Sequence, residues 1–199
     1  MKKRWISVLM LGMLLRMPTA LASDRADVTL NVKPVYQTDY TTTLFTYHGE
    51  EKSVASSGCG AACLSMAMRY LDASVEQDPE ALLLWVYANG YYQGAGIGYA
   101  AMQKALEAFG FSGEWIAANR LKLREALEAG YPVIAYMGEG HFGTSGHYIL
   151  VYGIDSIGRV RVIDPNSERR SQILYRSKTI IDEAGGSYAL LICEPKAAS

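Results

Sequence analysis

The sequence is poor in clustered positive charge, and this shortage excludes one class of partner. Its 199 residues carry 19 basic and 20 acidic side chains, and the formal net charge is −1. After residue 22 the only adjacent basic pair is Arg169-Arg170. One pair cannot neutralise a run of phosphates, and a mildly acidic surface does not attract nucleic acid. We therefore expect no nucleic-acid partner.

Long apolar runs are also lacking, and the longest one lies in a segment with the layout of a secretory signal peptide. Residues 2 to 4 are basic, an apolar run extends from Trp5 to Leu15, and Ala20-Leu21-Ala22 offers a small-residue cleavage site. The run is shorter than the roughly 20 residues that a spanning helix needs, which disfavours the alternative of an uncleaved anchor. We predict a signal peptide over residues 1–22, a single domain over residues 23–199, a secreted or periplasmic location, and no stable membrane insertion after cleavage.

Cysteine is scarce, and the count of three is odd. In an exported protein, an odd count leaves at least one thiol unpaired. Cys59 and Cys63 are four residues apart on a predicted helix, where the side chains are poorly angled for a disulfide. Two arrangements stay open for the other pair: a bridge from Cys63 to Cys193, or two separate buried thiols.

Helical patterns precede strand patterns along the chain, which is typical of an α+β fold. Apolar spacing and capping residues predict helices over 59–71, 80–88, 99–109 and 121–129. Alternating or β-branched segments predict short strands over 133–137, 148–154, 160–163, 173–175 and 188–193. An extended entry segment is predicted over 28–47. The tight turn at residues 155–158 makes the strands around it antiparallel.

Cys59 lies where a helix N-terminus would activate a thiol. Ser57 is a plausible N-cap, which puts Cys59 in the first helical turn, where unpaired N–H groups and the helix dipole favour a thiolate. Gly58 and Gly60 leave room for a substrate carbonyl beside the sulfur. A small buried cysteine next to a glycine turn is the alternative interpretation.

A histidine at the mouth of a predicted hairpin provides a second chemical group. If the turn is centred between Ser156 and Ile157, His147 lies opposite Asn166 and diagonally from Asp164. Residues 164 and 166 share a face, so either the carboxylate or the amide oxygen could accept the imidazole N–H and fix its tautomer. Cys59, His147 and one of these acceptors form a nucleophile, a base and an orienting group.

These segments resemble the bacteriocin-processing cysteine peptidases, family thirty-nine of the cysteine peptidases, and especially their stand-alone secreted relatives. Residues 59–66 look like the nucleophile motif, 146–154 like the histidine strand, and 163–166 like the aspartate corner. Intervening segments such as 90–96 and 132–142 also resemble those relatives. The resemblance implies a papain-like fold, with the nucleophile helix packed on an antiparallel sheet. It also implies acyl transfer through a thioester, with Cys59 as nucleophile, His147 as base and Asp164 as orienting group.

A glutamine upstream of the nucleophile stabilises the oxyanion in that family. In the stand-alone relatives it lies in a Gln-x-Asp-Tyr context, which residues 37–40 reproduce, so the resemblance assigns this role to Gln37. Asn166 and His141 are secondary candidates, His141 because its glycine-flanked loop precedes the histidine strand. The expected activity is hydrolysis of a peptide bond in a peptide or protein substrate, without a cofactor.

Three other functions remain open at the level of sequence. An acyltransferase would use the same triad with an amine in place of water. A catalytically silent module could bind peptide or cell-wall material through Trp85, Tyr91, Tyr92 and Trp115, although such a module would need no triad. A zinc site built from His48, His141 and His147 matches no compact ligand spacing, and we expect no metal.

Overall fold

The computed structural model describes residues 25–195, so the predicted signal peptide lies outside the described residues. The helices are α1 (Val54–Ser57), α2 (Cys59–Leu71), α3 (Pro79–Ala88), α4 (Tyr99–Ala108), α5 (Arg120–Glu128), α6 (Glu168–Ser171) and α7 (Ser177–Asp182). The strands are β1 (Val28–Thr29), β2 (Phe45–Tyr47), β3 (Glu50–Lys52), β4 (Phe111–Ile116), β5 (Val133–Met137), β6 (His147–Ile154), β7 (Arg159–Ile163), β8 (Leu174–Arg176) and β9 (Leu190–Pro195). A single 3-10 turn covers Gln37–Asp39.

Most of the strands form one antiparallel sheet, as the strand patterns predict. Its strands follow the order β4-β9-β5-β6-β7-β8, and β1 pairs with the end of β6. The helices and this sheet share one hydrophobic core. The arrangement is α+β, because the four longest helices are grouped ahead of most of the strands.

Helix α2 is the central element of the core. It spans the predicted residues, and the side chains from Gly60 to Met68 are all buried. The prediction that Ser57 caps this helix is wrong. Ser53 caps the short helix α1, of which Ser57 is the last residue, so Gly58 becomes the N-cap of α2. A Cβ at Gly58 would lie 2.7 Å from the carbonyl oxygen of Val54, and this close approach requires glycine.

Helix α3 shows how local signals determine an element. The Asp78 carboxylate accepts the Ala81 N–H at 2.7 Å, and Pro79 is the first helical residue. Proline lacks an N–H that would otherwise be unpaired there, so it favours a helix start. Gly90 has a φ of 73° just after the helix, a conformation that favours glycine. The predicted start and end of α3 are therefore right to within one residue.

The hairpin that carries His147 contains an irregularity that the sequence does not reveal. Near the turn, Gly153 pairs with Arg161 and Ile154 with Val160, one residue away from the predicted register. A bulge between Val151 and Gly153 corrects the offset, so that Val151 pairs with Val162. The predicted register is thus wrong at the turn but right at the mouth of the hairpin.

Ahead of β5, the structure differs from the predicted pattern in two places. Strand β4 was not predicted, because Gly113 and Ser112 weaken its pattern and its partner β9 lies far away in sequence. The entry segment is not extended throughout, because Gln37–Asp39 forms a 3-10 turn. In this part of the chain, contacts with distant residues decide the conformation.

All three cysteines are free, which removes the predicted option of a bridge between Cys63 and Cys193. Both of these side chains are fully buried, and burial raises the pKa of each thiol. We therefore predict one reactive thiol in the native protein and three after unfolding without a reductant. An Ellman titration before and after addition of guanidinium checks this count. A count of one thiol in guanidinium would show that the bridge exists.

Among residues 25–195, no helix combines the length and the apolar character needed to cross a membrane.

Candidate functional site

Cys59 occupies the first position of α2, at the edge of a cavity. Its N–H has no partner inside the helix, because the first four N–H groups of a helix lack one. It is partly exposed, whereas residues 60–68, which follow it in α2, are buried. The cavity has a volume of about 570 Å³ and opens to solvent beside the sulfur. A helix start at a cavity edge favours a negatively charged group at this position.

His147 and Asp164 meet at the mouth of the β6–β7 hairpin. His147 is the first residue of β6, and Asp164 directly follows the end of β7. The distance from His147 Nε2 to Asp164 Oδ1 is 2.8 Å. Burial alone would lower the pKa of His147, but hydrogen bonds with Asp164 and Cys59, together with their charges, raise this pKa to about 9. Because Asp164 occupies Nε2, Nδ1 is the ring nitrogen left for Cys59.

The carboxylate of Asp164 is fully buried and surrounded by donors. Its Oδ1 also accepts the backbone N–H of Asn166 at 2.8 Å, and its Oδ2 accepts a hydrogen bond from Arg170 Nε. Burial alone would raise the pKa of Asp164, but the hydrogen bonds from His147 and Arg170 lower it. Of the two acceptors that the sequence left open for the imidazole N–H, the structure pairs His147 with Asp164. Asn166 contributes its backbone, and its side chain is exposed.

Gln37 lies between the two halves of this arrangement. Its backbone N–H donates to the carbonyl of Pro165, next to Asp164, at 2.8 Å. Its side-chain Nε2 donates to the carbonyl of Ala55, in the short helix ahead of Cys59, at 2.9 Å. The residue is only 6% exposed, and within residues 25–195 its Oε1 has no hydrogen-bond partner. Gln37 therefore connects the residues that follow β7 with α1, the short helix that precedes Cys59.

The other two histidines lie apart from this group. His141 is exposed and pairs with Glu183 through both its backbone N–H and its ring. It is not among the residues that line the cavity next to Cys59. His48 packs against Tyr47. Over residues 25–195 there is no cluster of three metal-ligating side chains, so these histidines do not form the zinc site considered above.

The cavity beside Cys59 has walls of glycine and tyrosine, which sequence reasoning missed. Besides Cys59 it is lined by Gln93, Ala95, Gly96, Ile97, Gly98, Tyr99, Tyr136, Ser145, Gly146, Tyr148 and Gly185. None of these side chains is charged. A Cβ at Gly146 or at Gly185 would lie 2.5 Å from Tyr136, so these glycines make room for its ring. In the sequence, only Tyr148 carried a sign of its place in the cavity wall, because it follows His147 directly. Nothing in the sequence indicated that Tyr136 and Tyr99 also line the cavity.

The aromatic residues proposed as contacts of a binding module do not line this cavity. Trp85 packs against Tyr91 and Phe109, with ring centroids 5.7 and 5.6 Å apart. Tyr92 is buried, and Trp115 stacks on Tyr99 at 3.8 Å. These rings stabilise the helical layer and the cavity wall from behind.

The raised pKa of His147 predicts a stability that depends on pH. The unfolded pKa is about 6.5, so a folded pKa of about 9 contributes stability that is complete below pH 6.5 and disappears as the pH rises through 9. We expect the difference in free energy of unfolding between the wild type and His147→Gln to shrink over this interval. Urea denaturation at several pH values measures the difference, and a constant value would contradict the ion pair.

The fold is that of the papain-like C39 peptidase domains. The model of the Peptidase_C39 like family matches residues 29–189, and the chain belongs to this family. No curated protein matches the chain. The predicted family is therefore confirmed, and peptidase activity is the activity that family and fold suggest.

Solved structures of the same family share the fold at low sequence identity. A putative C39-like peptidase from Bacillus anthracis matches with a TM-score of 0.59 and 13% identity, over 88% of this chain and 100% of that chain. A double glycine motif protease from an AMS/PCAT transporter, solved in complex with the leader peptide, gives 0.53 and 17%, over 85% and 95%. The peptidase domain of Streptococcus ComA, a bifunctional ABC transporter involved in a quorum-sensing pathway, gives 0.51 and 18%, over 70% and 92%. These matches confirm the papain-like α+β fold.

Proposed function

We propose that this protein is a cysteine peptidase that cleaves peptide bonds through Cys59, His147 and Asp164. One observation carries the proposal: His147 is hydrogen-bonded to a buried carboxylate, and its pKa is raised in part by Cys59, which starts a helix at the edge of an open cavity. A protein that only binds peptides needs no such chain of groups. The uncharged cavity suits a peptide segment, and a relative of the same fold was solved with a leader peptide.

The proposed reaction begins from a thiolate and an imidazolium. The thiolate of Cys59 attacks the carbonyl carbon of the scissile bond, and His147 gives its proton to the leaving amine. Water then attacks the thioester, with His147 as general base, and releases the second product. Asp164 keeps the imidazole in the required tautomer throughout. Because the imidazolium is the acid in the first step, the rate of acylation should fall above about pH 9.

We propose two donors for the oxyanion that forms during attack. One is the backbone N–H of Cys59, which has no helical partner. The other is the second N–H of Gln37 Nε2, since the first donates to Ala55. In this role Gln37 acts only when negative charge develops on the substrate oxygen.

We predict that Gln37→Ala lowers kcat by about a hundredfold to a thousandfold and leaves KM nearly unchanged. Alkylation of Cys59 by iodoacetamide forms no oxyanion, so its rate should stay close to that of the wild type. Steady-state kinetics and alkylation rates measured on the same preparation separate the two effects. Equal losses in both would mean that Gln37 only supports the helix that carries Cys59.

A peptide-library digest tests the proposed activity. Residues 23–199 are incubated with the library, and products are identified by mass spectrometry. We expect cleavage at bonds flanked by uncharged residues, because none of the side chains that line the cavity is charged. Masses from added amines would instead identify a transferase. Binding of peptides without any product would support the silent module.

We also propose that the chain is exported and acts outside the cytoplasm. The support is the signal-peptide layout of residues 1–22. Intact-mass measurement of the protein recovered from its native host tests this. A chain that begins at residue 23 is expected, and a chain that still contains the apolar run would contradict it.

A further inference from the structure

The second oxygen of the Asp164 carboxylate has a partner of its own. While Oδ1 faces His147, Oδ2 accepts a hydrogen bond from Arg170 Nε and forms an ion pair with its guanidinium. The Asp164 side chain is 0% exposed and that of Arg170 is 26% exposed. A buried carboxylate without a cationic partner is costly and tends to take up a proton. Arg170 is thus placed to keep Asp164 ionised.

The short helix α6 delivers Arg170 to this position. Ser167 caps the helix by accepting the Arg170 N–H, and the backbone N–H of Ser167 donates to the Asp164 carbonyl at 3.0 Å. The Asp164 N–H in turn donates to Ser171 Oγ at 2.9 Å. Both ends of α6 are therefore fixed to the backbone of Asp164. The segment from Asp164 to Ser171 thus folds back on itself and places the Arg170 guanidinium next to the Asp164 carboxylate.

We propose that Arg170 is a positioning residue that holds the Asp164 carboxylate, ionised and correctly oriented, against His147. This inference rests on the proposed function, which it deepens. Two hydrogen bonds fix the plane of the carboxylate. The Asn166 N–H donates to Oδ1, and Arg170 Nε donates to Oδ2. Without Arg170, the carboxylate would lose one fixed point and its counter-charge. A smaller fraction of Asp164 would then be ionised and correctly oriented to stabilise the His147 imidazolium.

Other titratable groups face this pair, but none replaces Arg170. They are His147 from β6, Cys63 from α2 and Tyr175 from β8. Within residues 25–195, Arg170 is the only lysine or arginine at salt-bridge distance from Asp164. The neighbouring Arg169 is exposed and forms no such pair. It carries the same charge one residue away, which makes it a matched control.

The test compares Arg170→Met and Arg170→Lys with Arg169→Met. Two pH titrations are recorded for each variant: the alkylation rate of Cys59, and the carbon-13 signal of the Asp164 carboxyl group. In Arg170→Met the midpoint of the Asp164 carboxyl titration should move up by at least about one pH unit, because a cationic partner depresses a carboxyl pKa by one to three units. The alkylation profile of Cys59 should change with it, because His147 then loses a fully ionised partner at acidic pH. Arg170→Lys keeps the charge and should shift less. Arg169→Met should leave both titrations where they are in the wild type.

Equal profiles for Arg170→Met and Arg169→Met would overturn the inference and leave Arg170 a purely structural role. If Arg170→Met does not fold, the lysine variant decides, since it should still differ from the wild type while Arg169→Lys does not. The carboxyl titration does not depend on catalysis. A wild type whose Cys59 reacts like an ordinary thiol would therefore end the proposed function, whereas an unchanged Asp164 midpoint in the Arg170 variants would end only this inference.

Discussion

A chain with alanine at Cys59 is expected to hydrolyse peptides at least about ten-thousandfold more slowly than the wild type. Alanine carries no sulfur, so the thioester cannot form. Peptide affinity should persist, because the glycine and tyrosine walls that line the cavity are unchanged. Initial rates of peptide cleavage, together with a binding titration, measure the two quantities separately.

Cys63→Ala is the control for this experiment. Cys63 lies one turn further along α2, is fully buried, and burial raises the pKa of its thiol well above the usual range. Loss of its sulfur should cost stability of about 1 kcal/mol and leave the cleavage rate within a few-fold of the wild type. Residual cleavage of more than about 1% of the wild-type rate in Cys59→Ala would contradict the nucleophile assignment.

Replacement of Gly96 by alanine is expected to damage both stability and reactivity. Gly96 has a φ of 140°, and a Cβ there would lie 2.6 Å from the carbonyl oxygen of Ser57, two residues before Cys59. The strained backbone and the clash should together lower the free energy of unfolding by about 3 kcal/mol. The clash also pushes on the junction between α1 and α2, so the alkylation rate of Cys59 should fall by about tenfold.

Gly94→Ala separates backbone strain from the clash. Gly94 has a φ of 76° in the same loop, but its Cβ would approach nothing closer than 3.6 Å. We expect this variant to lose only about 1 kcal/mol and to keep the alkylation rate of the wild type. Denaturant curves and alkylation rates for both variants check the comparison. Equal effects at the two positions would show that the contact with Ser57 is unimportant.

Local signals in the sequence were enough to predict the four longest helices, α2 to α5, but not the short helices α1, α6 and α7. Helix α3 begins with Asp78 as cap and Pro79 as first residue, and these two act on their own backbone neighbours. Helix α2 was predicted at its full length, although its cap was assigned to Ser57 instead of Gly58. The cap could not be recognised because α1 is one short turn, which depends on a capping box between Ser53 and Ser56.

Long-range pairing explains what the sequence did not reveal. Strand β4 owes its conformation to β9, about 80 residues further along the chain, and its own pattern is broken by Gly113. The bulge in β6 has no marker in its apolar residues. The position of His147 opposite the Asp164 corner was nevertheless predicted, because the bulge lies between the turn and the site and compensates for the assumed turn centre.

The closeness of His147 and Asp164 was predicted from the sequence, whereas the residues around this pair were missed. Cys59, His147 and Asp164 are residue types whose chemistry identifies them, and hairpin geometry brings the last two together. The sequence marks Arg170 only as part of a basic pair. Its contact with Asp164 could not be predicted, because this contact depends on how α6 folds back. Tyr136 was missed for a similar reason, since its place in the cavity wall depends on the absence of side chains at Gly146 and Gly185.

The most direct test of the proposed site is selective alkylation of Cys59. Residues 23–199, the wild type and His147→Ala, are treated with iodoacetamide at pH 6 and pH 8, and adducts are located by mass spectrometry. We predict rapid modification of Cys59 at both pH values, slow modification of Cys63 and Cys193, and loss of the fast reaction at pH 6 in His147→Ala. If Cys59 instead reacts at the rate of an ordinary thiol, with or without His147, the thiolate–imidazolium pair does not exist and the proposed peptidase mechanism is wrong.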